Sequence, residues 1–285
     1  MSGRWRPLTR VGAQVWSLVA VLALVSVGFA SLSDRFADLD NLRNVLLQAA
    51  PTMIGAVGMT LVIAARGIDL SIGAIANLAL ALALLGAGTR SEAALATDTT
   101  WLVYPIAIAS GLALGTLNAV ATNVLRLSAL ITTLGTLTLY RGLGLHITAA
   151  GLIAVRGPIL AFGRAQLWGI GVPVFAAVLM AVAGWVFLSE TPTGRRLLAV
   201  GGSPRSAVET GLRTERLLVV AYAASGLCGA IAGLILVGRV GVVNPDLGYG
   251  MEFTVITAVV LGGTSLFGGR ASMFGTVLAS LLLTT

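Results

Sequence analysis

Nine apolar runs, at residues 16–32, 45–65, 70–88, 101–125, 127–150, 167–188, 217–237, 253–266 and 273–283, leave this chain little choice but a lipid bilayer. A helix needs about 20 apolar residues to cross the hydrocarbon core, and the first seven runs reach or approach that length. Hydrocarbon offers backbone amides no hydrogen bonds, so each run must satisfy its own N–H and C=O groups, which a helix does within one segment. Composition agrees: 57% of the residues are hydrophobic, 10% are charged and the mean hydropathy is +0.96, whereas a soluble domain carries about 25% charged residues. The expected fold class is an all-α integral membrane protein, a polytopic helical bundle. Its last run has about half the length of a span, and the chain stops inside it at Thr285, so an incomplete final helix is expected there.

Charge then limits the function. All 18 basic residues are arginine, and the net charge is +7. A Walker A loop needs a lysine to reach the phosphates, so this chain carries no P-loop of its own. The arginines sit at run ends and loops, not on one amphipathic face, which speaks for positive-inside bias and against nucleic acid. Cys228 and His146 are single residues in apolar runs. They exclude a disulfide framework and a Cys/His metal cluster, and packing or hydrogen bonding is expected of both. The N-terminus has the basic start of a signal sequence without a cleavage site ahead of a soluble domain, so its apolar run is expected to be an uncleaved first span.

The bias also orients the chain. If Arg4, Arg6 and Arg10 hold the N-terminus inside, the segment 33–44, with Asp34, Asp38 and Asp40 against Arg35 and Arg43, lies outside. Alternation puts Glu92 and Asp98 outside, Arg126 inside, and the polar island 190–216 inside after six spans, with five arginines against three glutamates. Arg156 and Arg164 fall outside, against the rule.

That island, ETPTGRRLLAVGGSPRSAVETGLRTER, has local structure of its own. Ser203 is a good N-cap, Pro204 fits the first helical position and Gly211 fits the left-handed residue after a helix end. A short helix over 204–210 is expected, and an ordered loop between spans is a docking surface for a partner; the other reading is a solvated loop.

Polar residues inside the runs are the remaining candidates. Asp69 interrupts an otherwise apolar stretch, with Gly67 and Gly73 permitting a broken helix around it. It either pairs with Arg66, three residues away in a turn, or helps line a solute path. Asn77, Asn118, Asn123, Thr132 and Thr133 together suit an uncharged polyhydroxy solute better than a bare ion, and any one of them alone suits an ordinary interhelical link better. Tyr140 with Arg141, and Glu252, are costlier to bury and so stronger candidates, or else interfacial anchors. Gly111-x-x-x-Gly115 and Gly229-x-x-x-Gly233 predict close helix contacts. The segments from Gly67 to Gly73 and from Gly263 to Gly269 share glycine, leucine and glycine in register.

Four stretches carry a resemblance: GIDLSIGAIANLALAL from Gly67, ALITTLGTLTLYRGLGL from Ala129, TPTGRRLLAVGGSPRSAVETGL from Thr191 and TAVVLGGTSLFGGRASMFGTVLAS from Thr257. Together they resemble the permease subunits of monosaccharide ABC importers of the ribose, xylose and galactose type. The resemblance implies a single permease domain over 1–285, with nine of about ten expected spans present, in a bacterial cytoplasmic membrane. It implies a homodimer, a separate ATPase with two ATP-binding halves that holds ATP and Mg, a periplasmic or lipid-anchored sugar-binding protein, and no cofactor on this chain. Sugar would cross by alternating access. It also implies a coupling helix on the island, carried by Thr193, Gly194, Arg195, Arg196, Gly201, Ser203, Pro204, Ala207, Glu209 and Gly211. The path candidates are Asp69, Ser71, Asn77, Asn118, Thr132, Thr133, Arg141 and Glu252. An ABC permease for branched-chain amino acids or nucleosides is the nearer alternative, and a stand-alone secondary carrier the more distant one. No enzyme motif is present.

Overall fold

The computed structural model describes residues 8–33, 35–88 and 101–285, without the side chains of 8–11 and 13. Arg4, Arg6, Asp34, Glu92 and Asp98, and the side chain of Arg10, lie outside the described residues. The helices are α1 (Leu8–Leu32), α2 (Leu39–Ala64), α3 (Ile72–Gly86), α4 (Val103–Leu125), α5 (Ala129–Ile147), α6 (Ala161–Arg164), α7 (Val172–Glu190), α8 (Pro192–Gly202), α9 (Pro204–Glu209), α10 (Thr214–Val240), α11 (Met251–Leu261) and α12 (Met273–Leu282). Each apolar run forms a helix. Five of these helices, within α1, α2, α4, α7 and α10, are long and apolar enough to cross a membrane.

Boundaries moved where turn chemistry overrode hydropathy. The run at 167–188 is helical only from Val172. Trp168 and Gly169, at φ 52° and 77°, reverse the chain between two paired antiparallel strands of two residues each, Gln166–Leu167 and Ile170–Gly171, before Pro173 opens α7. A second pair, Ile153–Ala154 with Val242–Val243, closes the same end of the bundle.

The core is built around α2 and α10. From Ala49 to Ala64 every α2 residue but Thr52 is buried or nearly so, and α2 touches α7, α10, α11 and α12. Both small-residue motifs make the close contacts expected of them. On α4, a side chain at Gly111 or Gly115 would collide with the α10 backbone at Gly226 and Tyr222; on α10, Gly229 and Gly233 lie against the α3 backbone at Ile72 and Ala76. Such approaches give the dispersion contact that drives helix association in lipid.

These contacts also fix depth. α10 is 27 residues long, and Ser225 and Gly229 lie near its middle. Because Ile72 sits beside Gly229, α3 begins halfway through the bundle. Residues 244–250 fold back inward from the far end of α10 until the Gly248 carbonyl rests against Gly73, so α11 begins halfway too. Two helices of 15 and 11 residues therefore start at mid-depth with their first turns in contact.

Candidate functional sites

The island contains two capped helices, where one was expected. Ser203 Oγ accepts from the Ser206 amide at 3.4 Å, Pro204 opens α9, and Gly211 follows it at φ 79°. The helix over 204–210 is thus found as Pro204–Glu209. Ahead of it, Thr191 Oγ1 accepts from the Gly194 amide at 3.0 Å and Pro192 opens α8. The same serine/threonine–proline signal stands in the sequence at 191–192. Gly194, Leu197, Val200, Gly201 and Ala207 are buried; Arg195, Arg196, Ser203, Pro204, Glu209 and Gly211 are exposed and Thr193 is half-buried. Arg195 caps the end of α7 by donating to the Ser189 and Glu190 carbonyls at 3.2 and 3.0 Å. The exposed side of α9 carries the Arg205–Glu209 pair at 3.1 Å and an uncovered Val208.

α8 rests directly on the backbone at the end of α2. Gly201 lies on the Ala64 carbonyl, which also accepts from the Gly269 amide at 3.0 Å, and Gly268 lies against Gly201 and Arg66. The two glycine segments that echo each other in sequence thus approach at their ends, under the island.

Asp69 does not pair with Arg66. The chain turns at Arg66, φ 67°, which leaves its side chain exposed, while Asp69 rises into the bundle and is fully buried. Its Oδ1 accepts from the Ser71 amide at 3.0 Å, Ser71 Oγ at 2.7 Å and Asn118 Nδ2 at 3.3 Å; its Oδ2 accepts from Ser225 Oγ at 2.8 Å. Tyr140 Oη donates to Asn118 Oδ1 at 3.0 Å, and Thr133 and Tyr222 both donate to the Ile68 carbonyl at 3.1 Å. Asp69, Ser71, Asn118 and Thr133 therefore meet in one hydrogen-bonded hub joining the broken segment 65–71 to α4, α5 and α10. Tyr140, 3% exposed, belongs to the same hub at mid-depth and is no interfacial anchor.

Asn77, Arg141 and Glu252 gather elsewhere, around the re-entrant segment. Asn77 Nδ2 donates to the Asn244 carbonyl at 3.1 Å. The Arg141 guanidinium stacks on Tyr249, 4.5 Å from the ring centre. Glu252, 4% exposed, turns Oε2 toward Gly73 in the first turn of α3. Among the described residues, the buried side-chain polar atoms without a hydrogen-bond partner in the chain are Arg141 Nε and Nη2, Glu252 Oε2, Asn244 Oδ1 and Thr132 Oγ1. Thr132 on α5 stands apart from the others, about two and a half turns before Arg141. Asn123 reaches only the Glu215 carbonyl, at 3.4 Å. Cys228 packs under Gly58 as expected, whereas His146 is exposed on α5. Ser225, Tyr222, Asn244 and Tyr249 were not singled out from the sequence. Ser225 was legible as a polar residue in an apolar run; Asn244 and Tyr249 were not, because re-entry of their loop is a tertiary event.

The family model described as branched-chain amino acid transport system / permease component matches residues 41–285. The ribose import permease protein of Haemophilus influenzae is 33% identical over 272 residues, covering 94% of this chain and 82% of that protein. The ribose import permease protein of Bacillus subtilis is 36% identical over 273 residues, covering 94% and 81%, and the D-allose transport system permease protein of Escherichia coli is 32% identical over 267 residues, covering 93% and 80%. No solved structure matches.

Proposed function

Since this chain belongs to the branched-chain amino acid transport system / permease component family, we propose that it is the membrane-spanning subunit of an ATP-binding cassette importer that moves a monosaccharide of the ribose or allose kind across a bacterial inner membrane. It is a transport component and not an enzyme. Its relatives are ribose import permeases and a D-allose transport system permease, and those names support the sugar assignment. ATP is hydrolysed on a separate subunit, and a substrate-binding protein delivers the solute on the other side.

In this reading the chain is one permease domain with its N-terminus in the cytoplasm, it pairs with a second copy, and solute passes between the two by alternating access. The island is the ATPase contact. One observation carries this: capped α8 is seated on the end of α2, five residues before Asp69 and its hub, and capped α9 packs against α8 and α10. A push on the exposed face of α9 has a stiff route into α3, α4 and α10. A partner moves such a bundle only by binding its two states unequally.

Purifying the tagged subunit gently from its native membrane and identifying its companions by mass spectrometry tests the reading. Co-purification of an ATPase with a sugar-binding protein is the expected result. Solute uptake by the subunit alone down a proton gradient would replace the importer with a carrier.

A further inference from the structure

Polar side chains at mid-depth of a membrane bundle are costly unless something satisfies them, and this chain treats its two sets in opposite ways. The hub around Asp69 is complete: every carboxylate oxygen has donors, and these come from three places, Ser71 at the start of α3, Asn118 on α4 and Ser225 on α10. The set around the re-entrant segment is left open on three residues at once, Arg141, Asn244 and Glu252. Each buried polar group without a partner costs about 1–3 kcal/mol, and such groups in a native protein call for an explanation.

They lie at one level. Gly144, one turn after Arg141 on α5, packs on Asn77, one turn after Gly73 on α3. This places Arg141 beside the first turn of α3, the turn that Glu252 faces from α11. Asn244 is tied to the same stretch through its carbonyl on Asn77, and Arg141 through the Tyr249 ring. Arg141 and Glu252 nonetheless form no ion pair: among the described residues the pairs are Asp40–Arg43 and Arg205–Glu209.

We propose that Arg141, Asn244 and Glu252 form a solute station at mid-depth, beside the exposed ring of Tyr249, built for a neutral polyhydroxy molecule; this rests on the importer reading above. The chemistry is complementary to adjacent hydroxyls, each of which both donates and accepts. Arg141 Nε and Nη2 lie on one edge of the guanidinium and donate in parallel to two neighbouring hydroxyl oxygens. Glu252 Oε2 and Asn244 Oδ1 accept the hydroxyl hydrogens. One positive and one negative side chain leave no net charge to favour an anionic or a cationic solute. Stacking on Tyr249 fixes the plane of the guanidinium, so the fork is pre-oriented. Both half-length helices begin at this level, an arrangement in which discontinuous helices hold substrate near the bilayer midplane.

The test uses the whole transporter, permease with ATPase and binding protein, in proteoliposomes with D-ribose and D-allose as probes. Glu252→Gln and Arg141→Lys keep size and remove the acceptor charge or the fork. Each is expected to lower sugar transported per ATP hydrolysed at least tenfold, about the value of one charge-assisted hydrogen bond, with the variant subunit still inserted and still assembling with the ATPase and the binding protein. Transport at the wild-type ratio in both variants overturns the station. So does recovery of transport in the double exchange Arg141→Glu with Glu252→Arg, because the two would then serve as each other's partner. Asn244→Cys supplies a reporter that needs no transport, since the native Cys228 is buried. D-ribose or D-allose is expected to slow its alkylation by a small maleimide at least threefold and L-leucine to leave it unchanged; protection by L-leucine, or by none of the three, overturns the station. If the wild-type assembly imports no monosaccharide, the importer reading for sugars fails and the station with it, an outcome separate from sugar import that ignores these residues.

Discussion

Asp69 shows how one residue can be read correctly as special and wrongly as to partner. Arginine three residues away made local pairing the economical choice, but a left-handed turn at Arg66 points that side chain out while Asp69 enters the bundle. With four hydrogen bonds on a fully buried carboxyl group, its removal leaves Ser71, Asn118 and Ser225 short of acceptors. Asp69→Ala is therefore expected to destabilise the protein by about 3 kcal/mol or more. Asp69→Asn should cost less, because its oxygen still accepts from Ser71 and the Ser225 hydroxyl can rotate to accept from its amide. The buried Cys228 thiol gives the readout: a thiol-reactive dye in a thermal melt of the detergent-solubilised protein should report unfolding earliest for Asp69→Ala, then Asp69→Asn, then wild type. Equal melting of Asp69→Ala and wild type would show the hub to be idle.

At the scale of elements, the contact between α8 and α2 is made backbone to backbone, so glycine is a requirement there. A side chain at Gly201 would collide with the Ala64 carbonyl and the Gly269 amide, whereas one at Gly202 would meet Gly269 Cα at an ordinary 3.7 Å. Gly201→Val should therefore lift α8 off the bundle and lower transport per ATP at least tenfold with the protein still inserted, while Gly202→Ala stays near wild type. Gly211→Val has open space but holds φ 79°, a strain of roughly 1–2 kcal/mol, and should fall between them. Unchanged sugar-stimulated ATPase activity and transport in Gly201→Val would remove the island from the coupling route. These elements divide what was legible from what was not. α9 could be read from Ser203, Pro204 and Gly211 because caps and positive φ are local chemistry. α8 carries the same signal at Thr191 and Pro192, but its apolar positions are few, and hydropathy gave it no separate run. The start of α7 was misplaced because Leu167 and Trp168 are apolar yet belong to a tight reversal. The re-entry of 244–250 was hidden: it depends on Gly73 and Gly248 meeting across 175 positions of sequence.

For the whole molecule, the decisive quantity is which end faces the cytoplasm, and charge argues both ways. The island carries five arginines against three glutamates, but the opposite end holds Arg43 beside Gly169 and Arg164 beside Gly241, and Arg239 lines a cleft there together with Arg164. The positive-inside rule weights short loops close to span ends. The island is also two capped helices with an exposed face, so the coupling argument and the charge argument point the same way there. Val208 on α9 and Trp168 on the strand reversal mark the two ends, at 60% and 84% exposed. Replaced singly by cysteine, they are expected to label oppositely with a membrane-impermeant maleimide: Trp168→Cys in intact spheroplasts, Val208→Cys only in inside-out vesicles. The reverse pattern would place the island away from the side where ATP is hydrolysed. No placement of α8 on α2 could then transmit the work of an ATPase, and the importer reading would have to find its coupling surface among the arginines at the other end.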